Sequence, residues 1–227
     1  GDSSGDVSLQ DICTGAVETT LTGEVSLKNI ASLILRGGCP TNIGLATHDA
    51  VLSPQKYLQG LVDEDIDKID DRVRDKAKFR LLLRSLARNE STTVGMKRLK
   101  EDMMGVDTDT IDENTIADYL NVLDRLFILE NQKPFISSLR PARKAVKRHF
   151  TDPSLPCALL GITHEDDLIG DFQTFGLMFE ALCVRDLRIY AQSFGGQLYY
   201  YQDYQNNEID AVIEMPDGSW SGFEIKL

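Results

Sequence analysis

The chain has 227 residues, 42% hydrophobic and 26% charged, a balance that supports a buried core and excludes the low-hydrophobicity signature of disorder. Its 36 acidic residues against 24 Lys and Arg leave a formal charge of −12 and a pI near 4.7. That excludes wholesale coating of nucleic acid, because such affinity comes from cations that displace phosphate counterions.

No apolar run approaches the roughly 20 residues that a bilayer-spanning helix needs. The four cysteines show neither CxxC spacing nor disulfide-scaffold density, so free thiols in a cytoplasmic setting are expected. The opening GDSSGDVSLQDICTG has no basic n-region and no apolar h-region and reads as the start of a fragment. Over residues 45–90 the apolar spacing is helical: Tyr57, Leu58, Leu61, Val62 and Ile66 define one face, and Phe79, Leu82, Leu83 and Leu86 another. Two packed helices are predicted. Between them DEDIDKIDDR gathers Asp63, Glu64, Asp65, Asp67, Asp70 and Asp71 without the central Gly and terminal Glu of a Ca2+ loop, so it reads as a solvated helix face.

Ser91-Thr92-Thr93 is expected to open a short helix through Met96, Leu99 and Met103, and Asp112 to cap one carrying Ile116, Leu120, Leu123 and Leu126. FILENQKPFISS then reads as two strands around Asn131-Gln132, which completes a winged helix-turn-helix pattern. In that fold the third helix enters the DNA major groove. Its outward positions here include Glu113, Asp118, Asn121 and Asp124, with Arg125 the one nearby cation, so packing or protein contact competes with DNA reading. Arg140, Arg143, Lys144, Lys147 and Arg148 place five cations within nine residues and form the candidate nucleic-acid patch. A solvated basic linker that pairs with the chain's own acidic helices is the alternative.

After the Asp-Pro turn of TDPSL, Phe175, Met178, Phe179, Leu182, Cys183, Leu187 and Tyr190 mark a wide apolar stripe on a helix over 171–190. GGQLYYYQD, EIDAVIEM and SWSGFEIKL follow as three strands separated by turn residues. Alternation puts Ile209, Ala211 and Ile213 on one face of the second strand and Glu208, Asp210, Val212 and Glu214 on the other. In the third, Phe223, Ile225 and Leu227 oppose Glu224 and Lys226.

Paired as a hairpin, these strands bring Asp210 and Glu224 within reach of one hard divalent cation, with Lys226 beside them and Glu180 of the preceding helix as a third oxygen ligand. A metal there polarises a phosphodiester and lowers the pKa of its bound water, while the ammonium orients that water or stabilises developing charge. A solvent-facing strand that merely alternates Glu and Lys is the plain alternative. Tyr199-Tyr200-Tyr201 and Trp220 are expected to pack the sheet, and His48, His149 and His164, which lack ligand spacing, to be structural.

GLMFEALCVRDLRIYA, LYYYQD, NNEIDAVIE, the DGSW turn and FEIKL together resemble the PD-(D/E)XK nuclease-like domain that ends a large prokaryotic family of AAA-type ATPase proteins. RGGCP at Arg36 to Pro40, the winged-helix segment and KRHFTDPSL at Lys147 to Leu155 are similar to the same family's arrangement, so the resemblance covers residues 30–227. It implies a catalytic set of Lys226, Asp210 and Glu224, and a Mg2+ held by Glu180, Asp210 and Glu224. Ile209-Asp210 stands where nucleases have Pro-Asp. Because no GxxxxGK[ST] occurs, the resemblance implies ATP only in a further N-terminal module. The nuclease-like fold normally continues past its ExK strand, so residues are expected to be missing at both ends.

The expected fold is mixed α/β (α+β): a helical segment over 1–75 that ends an ATPase or lid-like region, a winged helix-turn-helix-like domain over 76–150, and a partial restriction-endonuclease-like α/β domain over 151–227. One expected function is a Mg2+-dependent nuclease-like module that cleaves nucleic-acid phosphodiesters. Against it, residues 171–227 hold nine acids against three bases, a net −6 that repels a phosphate backbone. The other is a non-catalytic partner-recognition or oligomerisation module attached to an ATPase, with no membrane association.

Overall fold

Several helices begin where the sequence supplies a side-chain cap. The computed structural model describes residues 8–16, 25–70, 72–105, 111–136 and 143–227. Ser8 caps α1 (Leu9–Cys13) and Ser26 caps α2 (Leu27–Arg36), their hydroxyls accepting the N–H of Asp11 and Asn29. A 3-10 turn (Pro40–Asn42) and α3 (Thr47–Ala50) lead to α4 (Leu52–Gly60), which runs directly into a π turn (Leu61–Asp65). Asp75 and Asp112 cap α5 (Lys76–Arg88) and α7 (Glu113–Arg125), with α6 (Met96–Met104) between them.

Strands β1 (Leu129–Pro134) and β2 (Lys147–Phe150) precede α8 (Ser154–Leu160), α9 (Glu165–Gly170) and the long α10 (Phe172–Ser193). Strands β3 (Gln197–Gln202), β4 (Glu208–Glu214) and β5 (Trp220–Phe223) follow. The described residues thus form a mixed α+β fold with one five-stranded sheet in the order β2-β1-β3-β4-β5. Its β1–β3 pair is parallel and the other three pairs are antiparallel.

Burial follows the apolar periodicity. Phe79, Leu82 and Leu83 of α5 pack with Leu99, Ile116, Val122 and Leu123 in the larger core. Each such side chain contributes about 1.5–3 kcal/mol on leaving water. A second core joins Ile34 and Leu35 of α2 to Phe175 and Met178 of α10, and a third seats Ala191 of the same helix against Ile213. Helix α10 therefore connects the helical layer to the sheet. Ala211, Val212 and Ile213 are all buried, so β4 is covered on both faces at its centre.

A buried guanidinium ties the acidic run into the larger core. Arg74 donates to both carboxylate oxygens of Asp70, to Asp118 of α7 at 3.0 Å and to the Ile66 carbonyl. Asp67 accepts the Arg74 backbone N–H, and Asp63 pairs with Arg80 at 2.5 Å. The run is therefore only partly a solvated face, because its acids answer a cation in the core; Asp71 lies outside the described residues.

The RGG segment has a comparable role. The Asp152 carboxylate accepts the Gly38 N–H at 2.7 Å, an Arg185 N–H at 2.8 Å and the Ser154 hydroxyl at 2.5 Å, joining α2, α8 and α10. Gly37 turns there at φ 61, and a Cβ on it would meet Asp152 Oδ1 and Ser154 Oγ at 2.4 Å. Only glycine fits that left-handed, crowded position.

Three local expectations are corrected. Ser91 does not open a helix: α6 starts at Met96 after Gly95, and Ser91, at φ 59, sits in a buried polar joint. Asn131-Gln132 is not a turn, since β1 runs through it and pairs with the basic KRHF segment, Asn131 opposite Arg148 and Gln132 opposite Lys147. Gln132 is buried and bonded internally, which a turn residue at the surface cannot be. FEIKL is not strand throughout: β5 ends at Phe223, and the Ile225 N–H is taken by the Asp210 side chain at 2.8 Å.

Candidate functional site

Strands β1, β2 and β4 and helix α10 converge on a cluster of charged and amide side chains. Lys147 points inward from β2, its side chain 4% exposed, and donates to Glu180 of α10 at 2.8 Å and to Glu208 of β4. Its ammonium also lies 5.5 Å from the centroid of the buried Tyr200 ring. Burial lowers the Lys147 pKa, but Glu180 and Glu208 outweigh it and the net shift is upward, so the ammonium stays charged. Burial raises the pKa of Glu180 against the opposing pull of Lys147.

Asp210 reaches the same region through an irregularity. The β3–β4 register slips by one residue between Tyr199↔Val212 and Tyr201↔Ile209, so Asp210 and Ala211 together face Tyr200. Such a bulge re-aims side chains that simple alternation would place elsewhere. The Gln132 amide spans it, donating to the carbonyls of Tyr199 and Asp210 at 2.9 Å each.

Glu224 and Lys226 pair with each other at 2.7 Å on the surface, with side chains 65% and 77% exposed. The Lys226 pKa is raised first by its hydrogen bond to Glu224, and more weakly by Asp210 and Glu180. All four residues of the nuclease-like constellation therefore share one neighbourhood, but each has a protein partner there. Among the described residues no three His, Cys, Asp or Glu side chains are grouped to hold a metal ion. As folded, the Glu180 carboxylate is bound to an ammonium, that of Asp210 accepts a backbone N–H and that of Glu224 pairs with an exposed lysine.

The cations of the candidate nucleic-acid patch are dispersed. Arg140 lies outside the described residues. Arg143 reaches Asn206 at 2.6 Å, Lys144 is exposed, Lys147 is buried, and the half-buried Arg148 donates to the Val94 carbonyl at 2.6 Å. On α7, Asp118 holds Arg74, Asp124 accepts from Asn131, and Arg125 donates to the Ile69 carbonyl. Tyr200 packs inside, whereas Trp220 lies half-exposed at the strand end, tilted against Phe135 at 5.6 Å.

Sequence reasoning missed a second buried joint: Glu90, Ser91, Gln132 and His149. Since Gln132 gives its amide protons to two carbonyls, its Oε1 must accept from His149 Nε2, 2.8 Å away. The Ser91 hydroxyl is 3.0 Å from the Leu177 carbonyl, which can only accept. The same hydroxyl lies 3.2 Å from His149 Nδ1, which is also 3.3 Å from Glu90 Oε1. Burial pushes Glu90 up to about 8 and His149 down to about 3, so near neutral pH the carboxyl keeps its proton and the imidazole is neutral. Glu90 Oε2 also accepts the Phe150 N–H at 3.0 Å. The one legible signal was the inward alternation of Lys147 and His149 in KRHF, which reads as a basic patch until the strand is known.

Together these features define a mixed α+β protein whose helical layer is joined to its sheet through buried, internally compensated polar groups. The chain belongs to the family described as a domain of unknown function (DUF8612), whose model matches residues 27–166. Residues 175–227 match a further domain of unknown function (DUF4143), which is commonly found in AAA-ATPase-associated proteins. The joint spans both matches, with Glu90, Ser91 and His149 in the first and Leu177 in the second. No curated protein and no solved structure matches the chain. Among the described residues no helix is long and apolar enough to cross a membrane.

Proposed function

We propose that this protein is a non-catalytic recognition module of an AAA-ATPase-associated protein, built on a nuclease-like scaffold whose carboxylates serve the fold. One observation carries the reading: the Lys147 ammonium is held by Glu180 and Glu208 in the crevice where the resemblance places a metal. A buried cation with two carboxylate partners is expensive to displace, because a divalent ion would have to leave the ammonium unpaired in a low-dielectric site. The net −6 of residues 171–227 supports the same reading, since it disfavours a phosphate backbone. Three helices followed by the β1–β2 ladder support a winged-helix-like unit that packs and contacts protein, with α7 acids already engaged inside the chain.

Plasmid DNA and RNA incubated with Mg2+ or Mn2+ and the wild-type protein test this directly, beside Asp210→Ala and Lys226→Ala. No cleavage above the two variants is expected. Cleavage lost in both variants would refute the recognition reading and assign Asp210 and Lys226 to a nuclease site.

A further inference from the structure

A groove of ≈ 590 Å³ runs between α4, α5 and α8. Its floor is apolar: Leu58, Val62, Leu81, Leu83, Ala158 and Leu159 line it. Leu58, Val62 and Leu83 are buried, whereas Leu81, Ala158 and Leu159 are only half-buried and the neighbouring Ala77 is exposed, so those four leave apolar surface open to water. Its rim is polar on both sides. Gln55 and Gln59 stand one turn apart on α4, and Arg80 and Arg84 one turn apart on α5. Arg80 pairs with Asp63, whereas Arg84 is exposed and has no ion-pair partner among the described residues.

We infer that this groove docks an acidic amphipathic helix of a partner protein. The inference rests on the recognition reading above and names the partner's chemistry and its site. The walls are helices, so no strand edge is available there to bind an extended peptide by backbone hydrogen bonds, and a helix laid in a groove is the mode that fits. Apolar residues at i, i+4 and i+7 fill the floor, and a carboxylate on the polar face meets the unpaired Arg84 at the rim. Arg suits this role because its planar fork binds carboxylates bidentately. The chain carries a net −12, so long-range repulsion slows an acidic partner's approach and selection falls on contact at the free cation of the rim.

The test uses the full chain and a fluorescein-labelled amphipathic peptide with Leu on one face and Glu on the other, beside its Lys-for-Glu counterpart, read by anisotropy. The acidic peptide is expected to bind with a Kd on the order of 10 μM and the basic one at least tenfold more weakly. Arg84→Glu removes an exposed side chain without a partner, so the fold is kept, and it should weaken the acidic peptide about tenfold while improving the basic one. Ala77→Glu, in the first turn of α5 where an acid is favourable, should block the groove and weaken both. Equal binding of the two peptides, or unchanged binding in both variants, overturns the inference. Plasmid cleavage would instead defeat the recognition reading, so the two failures are told apart.

Discussion

Raising the pH from 6.5 to 8 is expected to weaken the folded state through one buried proton. In the folded protein Glu90 keeps its proton up to about 8, whereas an unfolded glutamate releases it near 4.5. His149 stays neutral down to about 3 when folded but takes a proton below 6.5 when unfolded. Between 4.5 and 6.5 each state therefore carries one proton on the pair, and this pair contributes no slope. Above 6.5 the unfolded pair holds none while the folded pair still holds one, so stability falls until Glu90 titrates at about 8. Over those 1.5 pH units, at about 1.36 kcal/mol each, the loss is about 2 kcal/mol. Below 4.5 the unfolded pair holds two protons against one, and stability falls again toward pH 3.

The assay is urea unfolding followed by far-UV circular dichroism at pH 3.5, 5.5, 6.5, 7.3 and 8.5, with Glu90→Gln alongside. The substitution keeps the side-chain shape and removes the titratable group, so the alkaline decline should vanish while the acid limb, which belongs to His149, remains. A wild-type profile flat from 6.5 to 8, or an equal decline in Glu90→Gln, would refute the proton assignment.

Other perturbations probe the remaining buried charges and the tight turn. Lys147→Met leaves Glu180 and Glu208 facing each other in the crevice and should cost about 3–5 kcal/mol in urea unfolding, partly restored by adding Glu180→Gln; an unchanged midpoint would show that the pair carries no such charge balance. Gly37→Ala forces a Cβ to 2.4 Å from Asp152 Oδ1 in a left-handed backbone and should lower the melting temperature by several degrees. A shift below one degree would mean that the RGG turn relaxes freely.

The helices and their inner faces were legible because an amphipathic helix reports its burial in the spacing of its own residues, as Phe79, Leu82, Leu83 and Leu86 do. Asp112 was an equally local signal, since a cap contacts an N–H two or three residues away. The three closing strands were legible in order, though the ExK segment falls just past the last of them. Sequence spacing has no access to partners at long range, and the misread positions are of that kind. Ser91 bonds to Leu177, Gln132 to Asp210 and Lys147 to Glu180, each across a gap that no periodicity spans.

By itself, then, the sequence determined the helices that carry a clear apolar stripe, the order of the three closing strands, and that Glu180, Asp210, Glu224 and Lys226 come in an order suggesting one site. Tertiary structure decided which partners those residues have. The bulge at Asp210 and the inward turn of Lys147 are set by how β1, β2 and β4 meet, and they determine whether a carboxylate faces a cation of the chain or open solvent. The physical reason is that burial and charge pairing depend on distances in space, and two residues 33 positions apart, such as Lys147 and Glu180, acquire a distance only when the chain has folded.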